Sequence, residues 1–542
     1  MRPTALLIAA LAVAAAVANP ASGQTVETGE GTVTALPTGA LNGVAVLDAK
    51  GDTLRAGPRL VEIVDGRASF PGASDVFDPP TSVDARAFTL DARRQTVVVG
   101  LGFSDVTADA DEPPATAAGF AVSTDGGARY TYRFPPLDQS FDSTVVYGVS
   151  TLPAVPATVP QGSAPLDIAL SAGADTVYSA NLLAGLRRST DGGATWTPVV
   201  TPPDSLLTLD PRETYGFPYT PDLRQPLFFV DGDPQRPVFP FASTNFVSYS
   251  VLVDEAGTVW AGMLGGLNRS VPVEGAGDPG WVRYIDSPLG GSIPSNQVYA
   301  LEARPLPGRD EVWAACWVPE DSPGEEEFGI AVWRGDDADG FPVFETVLLG
   351  VQVYDLAFGP EGRAYAAADD GLYVSGDAGA SWRVVRTFRA ADGRALPLDG
   401  PVTRAVATTP GTLWVGTPGG LLKSTDDAQT WELFRANVAP AASGDGDRPV
   451  GVYAYPNPFN PRRDGRLRVR LDLAAPSDLT VRVFDVGMNL VRTLRAEGRP
   501  AGPNEVAWDG QSDGGLRVAN GAYVYTVEGG GRTLSGRILV IQ

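Results

Sequence analysis

The chain has 542 residues, more than one compact core ordinarily organises, so at least two folded units are expected. Lys and Arg number 41 against 64 Asp and Glu, a formal charge of −23 spread along the chain, which argues against nucleic acid or anionic lipid as main partner. Histidine is absent and Cys316 is the single cysteine, excluding Ser-His-Asp and Cys-His catalysis, His-ligated metals, an intrachain disulfide and a zinc cluster.

In chain order, Met1-Arg2 precedes an apolar run over 5–17, and Ala21-Ser22-Gly23 follows before Gln24. Charged, apolar and small-residue stretches in that order predict a cleavable secretory signal over 1–23. No later run approaches eighteen apolar residues, so no transmembrane span is expected. No Cys lies near the cleavage position, so lipidation is not expected either.

Residues 24–435 repeat themselves. The clearest copy runs over 405–434, with others over 355–385 and 167–200, and looser ones starting near Val44, Ala87, Ser250 and Ala300. Each copy reads as four short strands separated by Gly, Pro, Asn or Asp turns, with no sustained 3.6-residue period. One such unit cannot bury its apolar face alone. Seven stacked radially can, so the expected fold is all-β, a seven-bladed β-propeller. Residues 32–36 are a candidate outer strand for closing the ring. Cys316, in the apolar run 312–317, reads as a buried strand residue.

Four copies end in one turn: Ser123-x-Asp125-x-Gly127-x-x-Tyr130, Ser189-x-Asp191-x-Gly193-x-x-Trp196, Ser375-x-Asp377-x-Gly379-x-x-Trp382 and Ser424-x-Asp426-x-Ala428-x-x-Trp431. A carboxylate accepting turn amides, Gly at positive φ and a ring over the hairpin make a self-bonded turn. Ala428 stands where the others have Gly, so that turn is expected to be the most strained. These turns resemble the Asp box of sialidases, sortilin-type receptors and several secreted glycoside hydrolases. The resemblance implies a structural role away from any catalytic face. No Arg-Ile-Pro motif, arginine triad or Tyr–Glu pair of a sialidase is identified. The fragment 254–262 with Gly266-Leu267 resembles repeats of sensor propellers, a blade rhythm without a signalling segment.

Strand direction alternates in a four-stranded meander. Insertions over 103–118, 135–165, 201–245, 285–297 and 319–329 therefore share one face, and the Asp-box turns occupy the other. The richest insertion carries Tyr215, Phe217 and Tyr219, with Phe228, Phe229, Phe239, Phe241 and Phe246 beyond them, as candidate ligand-stacking rings. These rings equally suit folding the loop onto the propeller. The acidic clusters are Asp105 with Asp109, Asp111 and Glu112; Asp336, Asp337 and Asp339; and 325–327. They allow a carboxylate pair or a calcium loop, and equally solvated loops; no metal site or cofactor is assigned.

The stretch 436–452 reads as a linker rich in Ala, Pro, Ser, Gly and Asp. Over 453–542, strands are expected at 467–473, 479–485, 491–494, 505–508, 522–527 and 534–541, a small Ig-like β-sandwich. Tyr455-Pro456-Asn457-Pro458-Phe459-Asn460-Pro461 opens it, Trp508-Asp509-Gly510 and Asn520-Gly521-Ala522-Tyr523 follow, and 537–541 ends it. This succession resembles the Ig-like sorting domain of type IX secretion cargo, related to the Ig-like domain of flagellar hook-capping proteins. The resemblance implies passage through the periplasm to the outer-membrane surface or medium, with the secretion machinery as partner. The resulting expectation is a surface protein whose propeller binds a carbohydrate or protein ligand, with no catalysis demonstrable from sequence. An Asp-box glycoside hydrolase and a structural or adhesive component are the alternatives.

Overall fold

The computed structural model describes residues 46–50, 53–57, 61–64, 67–69, 86–104, 115–160, 163–220, 228–229, 237–238, 243–286, 292–318, 327–396, 398, 400–434, 452–455, 457–461, 466–499 and 501–541. The expected signal over 1–23, the candidate closing strand 32–36 and most of the linker lie outside them. So do Pro456, Asp105, Asp109, Asp111, Glu112 and 325–326.

The first sheet is β1 (Val46–Lys50), β2 (Thr53–Gly57), β3 (Val61–Val64) and β4 (Arg67–Ser69); the second is β5 (Arg86–Arg93), β6 (Thr96–Ser104), β7 (Ala115–Ser123) and β8 (Thr131–Arg133). A hairpin of β9 (Thr144–Tyr147) and β10 (Ser150–Pro153) precedes the third sheet, β11 (Pro165–Leu170), β12 (Val177–Asn181), β13 (Gly185–Ser189) and β14 (Thr197–Pro198). The next connection holds β15 (Thr208–Leu209), β16 (Phe228–Phe229) and β17 (Pro237–Val238). The fourth sheet is β18 (Ser248–Val253), β19 (Val259–Met263), β20 (Gly266–Val271) and β21 (Gly280–Tyr284), with β15 as a fifth, outer strand.

The fifth sheet is β22 (Gln297–Leu306), β23 (Arg309–Trp317), β24 (Gly329–Asp336) and β25 (Pro342–Val347); the sixth is β26 (Val353–Phe358), β27 (Ala364–Ala368), β28 (Gly371–Ser375) and β29 (Arg383–Val385). The seventh is β30 (Ala405–Thr409), β31 (Thr412–Thr417), β32 (Gly420–Ser424) and β33 (Glu432–Phe434). In each of these sheets the first four strands pair antiparallel in chain order.

The first strand of each sheet packs against the first strand of the next, and β30 returns to β1. The seven sheets among the described residues thus close into a ring, a β-propeller with first strands innermost. Its core lies between blades, as where Val98, Phe120 and Val122 of the second blade meet Ile168, Leu170 and Val177 of the third. Cys316 is fully buried between blades, and burial pushes its thiol up to about 12, so it is an inert core residue.

The C-terminal unit is β34 (Val452–Tyr455), β35 (Leu467–Leu473), β36 (Ser477–Phe484), β37 (Leu490–Arg499), β38 (Gly502–Trp508), β39 (Gly521–Gly529) and β40 (Arg532–Val540). Sheets β34-β35-β38 and β37-β36-β39-β40 face each other over Phe459, Val469, Val481, Val483, Trp508 and Tyr525. That is an Ig-like sandwich with one strand, β34, beyond the six expected.

Candidate functional site at the channel mouth

A first strand has no backbone partner on its channel side, so its edge amides need other acceptors. Carboxylates supply them. Asp91 accepts from the Leu170 amide of the next blade (2.7 Å), Asp167 from Val251 (2.8 Å) and Asp355 from Val406 (2.8 Å). Asp167 and Asp355 also accept from Ile168 and Leu356, the amides following their own residues. Lys50, one of two lysines in the chain, lies 3.7 Å from Asp48 and 3.8 Å from Asp91, joining the first two blades. Arg93 donates to the Val253 carbonyl two blades away.

Along the first strands Asp167 and Asp355 directly follow the irregular residue near the strand start, while Asp91 and Glu302 stand two positions further on. Burial pushes Asp167 and Asp355 up to about 7 and Glu302 up to about 8. Asp48 rises to about 6, burial outweighing the pull of Lys50. Among the described residues no three potential metal ligands come together.

The mouth on the insertion face is built by a repeated irregularity. In β5, β11, β18, β22 and β26 the register skips one residue, at Phe88, Leu166, Tyr249, Tyr299 and Tyr354. Such bulges re-aim a side chain and often sit beside functional sites. Arg404, just before Ala405, holds the corresponding place in the seventh blade. The re-aimed groups meet around the rim: Tyr249 and Tyr299 are 6.0 Å apart between ring centroids, as are Tyr299 and Tyr354, and Arg404 lies 3.9 Å over the Tyr354 ring. Trp317 stacks on Tyr299 at 3.7 Å with ring planes 8° apart. Asp369 accepts from the Tyr354 hydroxyl (2.8 Å) and pairs with Arg404 (3.0 Å). Burial raises the Tyr249 and Tyr299 phenols, leaving both as neutral hydrogen-bond donors at physiological pH.

The three rings proposed from sequence stand elsewhere. Tyr219 is 2 % exposed, and Tyr215 and Phe217 pack half-buried against the same core between the third and fourth blades. Their rings form a chain, Tyr147–Tyr215–Phe217–Phe246–Tyr219, with centroids 4.8–6.4 Å apart. Of the two readings of these rings, the packing agrees with the one that folds the loop onto the propeller rather than with an open stacking platform. The segment runs beside β10, with Tyr219 donating to Pro153 and accepting from Val155, so its rings turn under the hairpin rather than toward solvent. The buried Arg187 anchors the same hairpin segment through Asp138. Of the acidic clusters, Asp336 pairs with Arg269 (2.8 Å) and Asp337 accepts amides of its own turn.

The four Ser-x-Asp turns lie between third and fourth strands, at the opposite end. In each, the serine hydroxyl donates to the aspartate (2.8 Å) and accepts the amide four residues on, Gly127, Gly193, Gly379 or Ala428 (2.8–3.0 Å). The buried acceptor is thus the serine, while the aspartate takes a more exposed amide, Arg129, Thr195, Ser381 or Thr430. Hydrogen bonds from Thr195 hold Asp191 down at about 2. The aromatic residue also joins blades: Trp196 stacks on Phe120 of the preceding blade at 4.7 Å, and Trp382 meets Trp313 at 6.3 Å. In the fourth turn Asp427 and Ala428 both adopt positive φ (58° and 61°), where the first two turns have glycine pairs.

In the sandwich, Tyr455 is buried and its hydroxyl lies 2.6 Å from Glu505. Asn457 donates to the Arg537 carbonyl and accepts from the Leu539 amide. Phe459 is fully buried and runs parallel to Val540, so the motif straps the last strand.

Residues 460–532 match the FlgD Ig-like domain family. No curated protein matches the chain. Among solved structures it is similar to PorZ, an essential surface component of the type IX secretion system of Porphyromonas gingivalis, at 15 % identity and TM-score 0.35, covering 91 % of this chain and 69 % of that one. YCF48 from Cyanidioschyzon merolae is similar at 17 % identity and TM-score 0.38, covering 74 % and 98 %. An ancestral GH74 enzyme is similar at 13 % identity and TM-score 0.28, covering 92 % and 71 %. By its own sheets the chain is an all-β protein, a propeller followed by an Ig-like domain, and the match over 460–532 lies within that second unit.

Proposed function

We propose that this is an exported surface protein whose propeller binds a carbohydrate or protein ligand at the channel mouth on the insertion-rich face. Its C-terminal sandwich is the address for type IX secretion. The observation that carries the binding reading is the half-buried arc of Tyr299, Tyr354 and Arg404 at the mouth, with the buried Tyr249 packed against Tyr299. The bulge recurs in five blades, and in three successive ones the residue it re-aims is a tyrosine, followed by Arg404 in the seventh. Phenol donors and a guanidinium around an opening supply the few convergent polar groups that a binding site uses.

The channel carboxylates favour binding over hydrolysis. Asp91, Asp167 and Asp355 are engaged by backbone amides and Asp48 by Lys50, which suits bracing blades rather than flanking a scissile bond. The address reading rests on the motif Tyr455–Pro461 and the match over 460–532. Deleting 453–542 tests it: the propeller is expected to accumulate in the periplasm, and normal surface or medium levels of the truncated protein would refute the address.

A further inference from the structure

The charge excess, spread along the N-terminal residues, does not extend to the C-terminal unit. Residues 453–542 hold twelve Arg, no Lys and nine Asp or Glu, a small positive sum within a chain of −23. The remainder is correspondingly more acidic than the whole. One end of the sandwich is also apolar on its outside. Val486 and Met488 in the β36–β37 turn, Leu490 just after it, and Leu516 are each at least half exposed. Asp513 donates its amide to the Val491 carbonyl and Arg492 donates to the Ser512 carbonyl, which sets the turn holding Leu516 beside β37.

Behind this tip, Leu490, Phe484 and Val524 are direct cross-strand neighbours, and Arg537 is the partner of Val524 on β40. Arg517, adjoining Leu516, and Arg537 are both exposed. Of the nearby acids, Asp513 lies 3.9 Å from the Arg492 guanidinium, while Asp485 accepts from Asn489 and stays charged.

We propose that this apolar tip, with Arg517 and Arg537 at its margin, is the surface through which the sandwich docks on an acidic protein partner during export. The inference rests on the address reading above. Charge complementarity carries it. An acidic partner is repelled by the strongly negative propeller and attracted only by the C-terminal unit, so that unit meets it first. Exposed apolar side chains clustered at one end, rather than scattered, supply the desolvated centre such an interface needs.

The test uses the full-length chain in its own cells, fractionated into periplasm, surface and medium. Val486→Ser/Met488→Ser/Leu516→Ser, and separately Arg517→Glu/Arg537→Glu, are expected to lower the exported-to-periplasmic ratio about tenfold, the equivalent of roughly 1.4 kcal/mol of docking. Arg517→Lys/Arg537→Lys is expected to stay near the parent. All substituted side chains are exposed, so the melting temperature should not move. Unchanged export by the serine and glutamate variants, with the 453–542 deletion trapped, overturns the docking surface and leaves the address intact. Normal export of the deletion overturns both. A fall in melting temperature, showing that the chain itself covers the tip, or a lost dimer with export unchanged, overturns the proposal too.

Discussion

Replacing Ser189 by Ala removes one oxygen that performs two tasks in the second Ser-x-Asp turn. The residue is 2 % exposed, and its hydroxyl accepts the Gly193 amide at 2.8 Å and donates to Asp191 at 2.8 Å. The alanine variant leaves the Gly193 amide buried without an acceptor, at a cost of about 1–3 kcal/mol. Asp191→Ala is expected to cost less, because its carboxylate is solvated and the Thr195 amide can turn to water. Urea denaturation of both variants beside the parent measures this, as a shift in midpoint with unchanged slope. Binding to any ligand of the propeller should be unaltered in the folded Ser189→Ala protein, since the turn lies at the far end of the blade. An order reversed between the two variants, or stability retained with binding lost, refutes the structural reading of the turn.

Ala428→Gly is expected to stabilise by about 0.5–1 kcal/mol, since alanine at φ 61° is strained by more than glycine's added chain entropy; the same denaturation assay reads it. Tyr219→Ala should destabilise by about 3–5 kcal/mol, as expected of a buried core ring, and thermal melting distinguishes this from a surface effect. The channel carboxyls make stability depend on pH. Asp167 and Asp355 titrate higher folded than unfolded, so their contribution is complete below the unfolded value of 3.8 and is lost as pH rises through about 7. Melting temperature should therefore fall between about pH 4 and pH 8, and the fall should flatten in Asp167→Asn/Asp355→Asn.

The repeat was readable because strand, turn and Gly recur at fixed offsets: the copy over 405–434 coincides with β30–β33. The six sandwich strands were readable from alternation, whereas β34 is a four-residue strand between the linker and the proline-rich motif, which its last residue, Tyr455, opens. The channel mouth was harder. A bulge residue is unpaired and breaks the two-residue period, so Tyr249, Tyr299 and Tyr354 look like ordinary strand aromatics. Aligning the copies reveals the column, with Leu166 and Arg404 at the same place. Tyr215, Phe217 and Tyr219 misled for the opposite reason. An aromatic run in a long loop does not disclose whether the loop folds over its own rings, and here the β9–β10 hairpin from a different insertion covers them.

The central claim is that the insertion-rich face is where the propeller meets its ligand. A photo-reactive amino acid placed singly at Asp369 or Asp370, beside the Arg404 arc, and at Arg129 or Ser381, in the Ser-x-Asp turns, tests it on intact cells. After irradiation, the first pair is expected to give a discrete covalent adduct, diminished in an Arg404→Ala/Tyr299→Ala background, and the second pair none. Adducts formed only from Arg129 or Ser381 would place the ligand on the opposite face and contradict the account.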